Sequence, residues 1–184
     1  MDNNYKTLSS EVKEKYVSVV WSHKIQEKQS DIFMTHYKNM ETINIVAASL
    51  ASIGIVSAIF NDELLVKIIS ALLSFVTAFV GLYSKSFDLK SSVQNHKNTA
   101  NKLIRVRDQL RLLLLSIKMK SSSPEELLAE FKNITKELDD IYADAPITTD
   151  KAVDLARKAL KINGDNIVTE EEINLIIPEN LRGE

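Results

Sequence analysis

The chain has 184 residues, no cysteine and a formal net charge of −2, with 23 Lys and Arg against 25 Asp and Glu. Lack of cysteine excludes disulfides, thiol catalysis and Cys-ligated zinc or iron–sulfur centres, and the even charge balance supplies no basic field for nucleic acid. With four glycines and three prolines, the first at Pro124, turns and strands have few punctuators, so an all-α fold is expected.

The opening MDNNYKTLSS is polar and no basic segment leads into an apolar one, so no cleavable signal peptide is expected. Residues 1–42 form the first unit, an amphipathic helix from about residue 10. Trp21, Ile25, Ile32, His36, Met40 and Ile43 fall within roughly 100° of arc on one face and lead straight into the next segment.

Residues 43–84 hold two apolar runs around a polar break. The first, INIVAASLASIGIVSAIF at 43–60, is uncharged, and at ~1.5 Å per residue a helix of that length covers ~27 Å, close to a bilayer's hydrocarbon core. The second, LLVKIISALLSFVTAFVGLYS at 64–84, is interrupted only by Lys67, whose stem can lie along the helix while its ammonium reaches the interface. The intervening "NDE" permits only a tight turn, so a two-helix transmembrane hairpin in a lipid bilayer is expected. A soluble bundle would have to wrap two fully apolar helices with arms that are only partly apolar. Lys24, Lys28 and Lys38 precede the hairpin and Lys85, Lys90, Lys97 and Lys102 follow it, while the loop has no basic residue; both termini are therefore expected in the cytoplasm, with Asp62 and Glu63 outside.

Ala47, Ala51, Gly54 and Ala58 lie within about 60° on the first span, a helix-packing stripe that admits a close neighbour. Ser70, Ser74, Thr77 and Gly81 make a comparable polar stripe on the second. Its hydroxyls either bond their own helix or a neighbour, or line a water-filled path. One hairpin cannot enclose a channel, so a pore requires a homo-oligomer.

Residues 85–120 form a long helix with heptad-like seams: Val93, Ala100, Arg107 and Leu114 on one, His96, Leu103, Leu110 and Ile117 on the other. The two arms are expected to pack on each other as a stalk or on the arms of other subunits, and the apolar stripes that carry His36 and His96 allow the two to meet across it. Trp21, His36, His96 and Arg107 are the stalk or gating candidates. The run RVRDQLR at 105–111 reads as a solvated or intersubunit ion-paired face.

Residues 121–184 form a helical module. Ser123, Pro124 and Glu126 make a capping box for a helix to about Tyr142. A short helix after Thr149 carries Val153, Ala156 and Leu160 on one face, "NGDN" turns the chain, and Thr169 with Glu172 caps a last helix before Pro178. The segment NGDNIVTEEE is similar to the end of an EF-hand loop, but the preceding ARKALKI lacks the early acidic ligands and the Gly is misplaced relative to the Glu, so calcium is not expected. No metal-ligand spacing, phosphate loop or nucleophile motif is present, so neither an enzyme nor a cofactor is expected.

The order of parts, with "VVWSHKIQ" in the first arm, "YSKSFDL" closing the second span and "NHKNTANKLIRVRDQLR" in the long helix, resembles the SLATT superfamily over about residues 10–143. That resemblance implies a two-transmembrane, non-enzymatic effector of bacterial antiphage and nucleotide-signalling systems in the inner membrane. It implies a pore-forming or membrane-perturbing action, released by a nucleotide-sensing or nucleotide-synthesising partner or a reverse transcriptase, that arrests or kills the cell. A non-conducting, membrane-anchored scaffold that recruits a partner through its C-terminal helices is the alternative.

Overall fold

The computed structural model describes residues 2–60, 63–165 and 169–176. Six α-helices follow one another: α1 (Asp2–Phe60), α2 (Leu64–Phe87), α3 (Leu89–Met119), α4 (Pro124–Ala143), α5 (Asp150–Lys158), whose end runs on as a π-helical turn over Ala159–Asn163, and α6 (Glu170–Ile176). Asn61, Asp62, residues 166–168, Pro178 and the side chain of Ala58 lie outside the described residues. Among those described, every regular element is helical.

α1 is one unbroken helix of 59 residues that begins well before residue 10. Its first turns are held because Leu8 is buried and Tyr5 donates its hydroxyl to the Ser122 carbonyl at 3.0 Å, with the Lys120 ammonium 5.8 Å from the ring. The return path breaks once. Asp88 adopts a left-handed conformation (φ 38°, ψ 53°), and its carboxylate accepts from the Ser91 amide at 3.2 Å, so one residue ends α2 and caps α3.

α1 pairs with α2 in the apolar half and with α3 in the polar half. The second half, a stalk, has a dry membrane-distal core in which Val12 and Val19 of α1 meet Leu103, Val106, Leu110, Leu113 and Ile117. α4 lays Leu127, Ile134, Leu138 and Ile141 over this seam. Its weight shifts the buried face of α3. Val93, Ala100 and the whole His96–Ile117 seam are buried as the heptads predict, but Thr99, Val106 and Leu113 replace Arg107 and Leu114, which are half-buried.

The turns carry the predicted chemistry. The Glu126 amide donates to Ser123 Oγ at 3.3 Å and the Ser123 amide to the Glu126 carboxylate at 3.1 Å; Thr169 and Glu172 make the same exchange at 3.2 and 3.0 Å. α3 closes with Lys120 left-handed (φ 52°) and the Ser121 amide bonded back to the Ser116 carbonyl.

Candidate functional site

The small side chains of α1 fit against α2. Ala47 and Ala51 are buried in the hairpin, and Gly54 faces Ser70 so closely that a β-carbon at residue 54 would meet the Ser70 hydroxyl. On α2 the half-buried or buried positions Val66, Ser70, Leu73, Thr77, Val80 and Ser84 recur at spacings of four and three, the seam of a left-handed helix pair. Ser70, Ser74 and Thr77 each donate to the carbonyl four residues back, at 2.8, 2.9 and 3.0 Å. A hydroxyl so satisfied is tolerated in hydrocarbon.

The polar stripe of α2 therefore divides. Ser70 and Thr77 belong to the seam with α1, whereas Ser74 and Gly81 are exposed. Together with exposed Ala71 and Ala78 they form a small-residue flank about 80° wide, with Lys67 and Lys85 at its ends. Elsewhere on the exposed surface of α2, Leu72, Phe75, Phe79 and Leu82 are large and apolar. Only 11% of the most apolar 18-residue stretch of either helix is buried within the chain. Tyr83, at the polar end, stands between Phe79 and Phe87 with ring centroids 6.3 and 4.4 Å away, an aromatic group at the level where such rings anchor helices in a bilayer interface.

Just beyond the hairpin the stalk core turns polar. His96 bonds Gln26 at 2.6 Å and stacks on Phe33 at 5.4 Å. The Gln26 amide nitrogen donates to the Pro146 carbonyl at 3.2 Å, which leaves Gln26 Oε1 as acceptor and places the His96 proton on Nδ1. Ser30 donates to the Val93 carbonyl at 3.1 Å. Gln29, almost fully buried, accepts both the amide and the hydroxyl of Thr149 at 2.8 Å. Lys24 reaches Glu27 at 2.9 Å and Asp165 at 3.3 Å.

These bonds strap residues 143–165 onto α1. Burial opposes the Lys24 ammonium, but its contacts with Glu27 and Asp165 outweigh that and hold its pKa above the usual lysine range. Burial lowers the pKa of His96, and burial likewise lowers that of His23 against the opposing pull of Glu27. His23 Nδ1 and, on the hairpin seam, Asn44 Oδ1 are buried without a hydrogen-bond partner.

The predicted stalk candidates are not brought together. His96 takes Gln26 and Phe33 as its partners, while His36 is exposed in a separate cleft beside Lys151 and Leu155 of α5. Trp21 is half-buried under the Lys161 ammonium, 5.8 Å from its ring, on the side of α1 that meets the C-terminal module. Arg107 turns to its neighbour Asp108 at 2.9 Å. The face expected to seal the stalk, through Trp21, Ile25 and Ile32, belongs instead to the α5 side. Val12, Val19, Gln26 and Phe33, one heptad apart, face α3, and that seven-residue repeat was the signal for Gln26. Among the described residues no group of three or more His, Asp or Glu is placed to hold a metal ion.

A hairpin of two helices long and apolar enough to cross a bilayer, carried on a helical stalk with a small C-terminal module, defines a two-span membrane protein. Residues 8–172 match the SMODS and SLOG-associating 2TM effector domain family 4, and the chain belongs to that family. No curated protein and no solved structure matches it. The match extends past residue 143, so the strapped segment is part of the family's domain.

Proposed function

We propose that the protein is a defence effector that assembles in the inner membrane and opens a pore, with its arms in the cytoplasm and growth arrest or cell death as the outcome. Membership of a two-transmembrane effector family supports the effector role. The excess of lysine on the arm side supports the orientation. The single observation that carries the pore is the flank of Ala71, Ser74, Ala78 and Gly81, exposed in the single chain and unlike the large apolar side chains around it. A lumen face needs small or polar side chains, and lipid does not.

Ser74 and Gly81 take the lumen assignment. Ser70 and Thr77 serve the seam with α1, and Ala47, Ala51 and Gly54 set its closeness. The trigger comes from a nucleotide-sensing or nucleotide-making partner acting on the stalk, as the SMODS and SLOG association in the family name suggests. Gating requires that this partner bind the open and closed stalk differently.

The test is conductance across planar bilayers with purified protein, alongside Ser74→Leu/Gly81→Leu. Discrete steps that vanish in the double variant at equal incorporation support the pore. Steps that persist unchanged remove the flank from the lumen. A scaffold makes a different prediction: replacing residues 43–84 with an unrelated two-helix hairpin would leave function intact.

A further inference from the structure

The stalk has one covered side and one bare side. α4 and α5 pack on one side of the α1/α3 pair; on the other, a cleft of about 900 Å³ lies open between Ser9 and Lys13 of α1 and the tip of α3. Its rim is basic, with Lys13, Arg107, Arg111 and Lys118 against Asp108 alone. Beside these charges Leu112 and Leu115 stand 64% and 51% exposed, an apolar pair that the monomer leaves in water.

A second recess, of about 280 Å³, opens where α4 crosses the start of α1. Leu8, Leu128 and Phe131 line it, and Glu11 and Glu125 stand at its edge. Lys13 and Glu11 are two residues apart, so they project about 200° apart around the α1 axis. The basic apolar ridge and the acidic apolar recess thus point away from each other.

They also stand at the same height. α1 and α3 run antiparallel with Gln26 beside His96 and Tyr5 beside Lys120, which sets residues 4–11 level with residues 111–118. In a membrane, every copy of a hairpin protein is inserted the same way round, so two copies meet at equal height.

We infer that the α3 ridge of one copy docks in the α1–α4 recess of the next, with Leu112 and Leu115 entering between Leu128 and Phe131 and Arg111 and Lys118 facing Glu11 and Glu125. Opposite faces joined in this way make a head-to-tail contact, which runs from copy to copy about the membrane normal and becomes a ring where the rotation between copies closes. The contact rests on the self-assembly proposed above and gives it an interface outside the bilayer. An anionic small molecule or an acidic partner in the cleft would fill the basic rim but leave the recess empty.

The chain's lack of cysteine makes the test direct. Two full-length chains with different tags, one Leu115→Cys and one Leu128→Cys, are co-expressed and oxidised in isolated membranes. A mixed disulfide is expected as the main product. Its yield should fall about tenfold when the first chain also carries Arg111→Glu/Lys118→Glu, and return when the second carries Glu11→Lys/Glu125→Lys, because like charges facing each other block docking and restored opposites permit it. Disulfides only between Leu115→Cys chains, or none while both chains are present in the membrane, would overturn the interface. The readout is independent of conductance. Cross-linking without current supports the interface and marks a channel still closed for want of its partner, whereas current without cross-linking overturns the interface and leaves the pore standing.

Discussion

The Ser70 hydroxyl occupies the place where a side chain on Gly54 would begin. Gly54→Ala should therefore destabilise the hairpin by about 1–3 kcal/mol through overpacking. Adding Ser70→Gly to the same chain should recover much of that loss, because the two sites are coupled only if they touch. Thermal unfolding of the purified protein in micelles measures both. Equal losses with and without the second change would mean that the helices do not meet at this pair.

Stability of the stalk should depend on pH through His23 and His96. Both are held neutral below the ordinary histidine range, foremost by burial. The unfolded imidazoles titrate near ~6.5, so on acidification the unfolded state takes up protons first. The stabilisation is complete above that pH and is lost as pH falls through it toward the lower folded values. Melting curves at pH 7.5 and 5.5 should show this loss, and His23→Gln/His96→Gln should flatten it. An unchanged pH slope in the double variant would assign the effect elsewhere.

Gln29 is the main clasp of the C-terminal strap, since one carbonyl oxygen serves both the amide and the hydroxyl of Thr149. Gln29→Ala leaves two donors without that acceptor, at a cost of about 1–3 kcal/mol. Limited proteolysis should then cut faster between Ala143 and Thr149. Cleavage at the parent rate would show that Gln26 and Lys24 hold the strap without it.

The cap of α4 offers a simpler measurement. Ser123→Ala should cost about 1 kcal/mol, and Glu126→Ala on top of it should cost less than it does alone, because the two side chains close one box. Additive losses in thermal unfolding would contradict the reciprocal geometry.

How far the sequence leads differs between the two halves. In the hairpin, eighteen uncharged residues and twenty-one interrupted only by Lys67 match the bilayer, and no competing reading satisfies both runs. Capping boxes at Ser123 and Thr169 are equally local, and they form as written. The stalk is harder because polar residues build much of its interior. Gln26, Gln29 and Ser30 are buried against partners that α3, the Pro146 segment and Thr149 bring, His23 is buried with its Nδ1 unpartnered, and hydropathy scores such residues as surface. Ranking the stripe by apolarity therefore selected Trp21, Ile25 and Ile32, which face the C-terminal module. The same limit applies to the hydroxyl stripe: Ser70 and Ser74 are chemically alike, and only the seam with α1 separates them. Nor does Asp88 signal a break as Gly or Pro would, although aspartate tolerates the left-handed conformation well.

The unbroken course of α1 has a consequence for transmission. Its 59 residues make a rod of about 88 Å in which one continuous helical phase links Val12 in the stalk to Ala51 in the hairpin. The returning arm has a joint at Asp88 and carries no such phase. One added residue between His36 and Glu41 would turn the whole membrane half of α1 by about 100° relative to the stalk, and seven would bring it back to within about 20°.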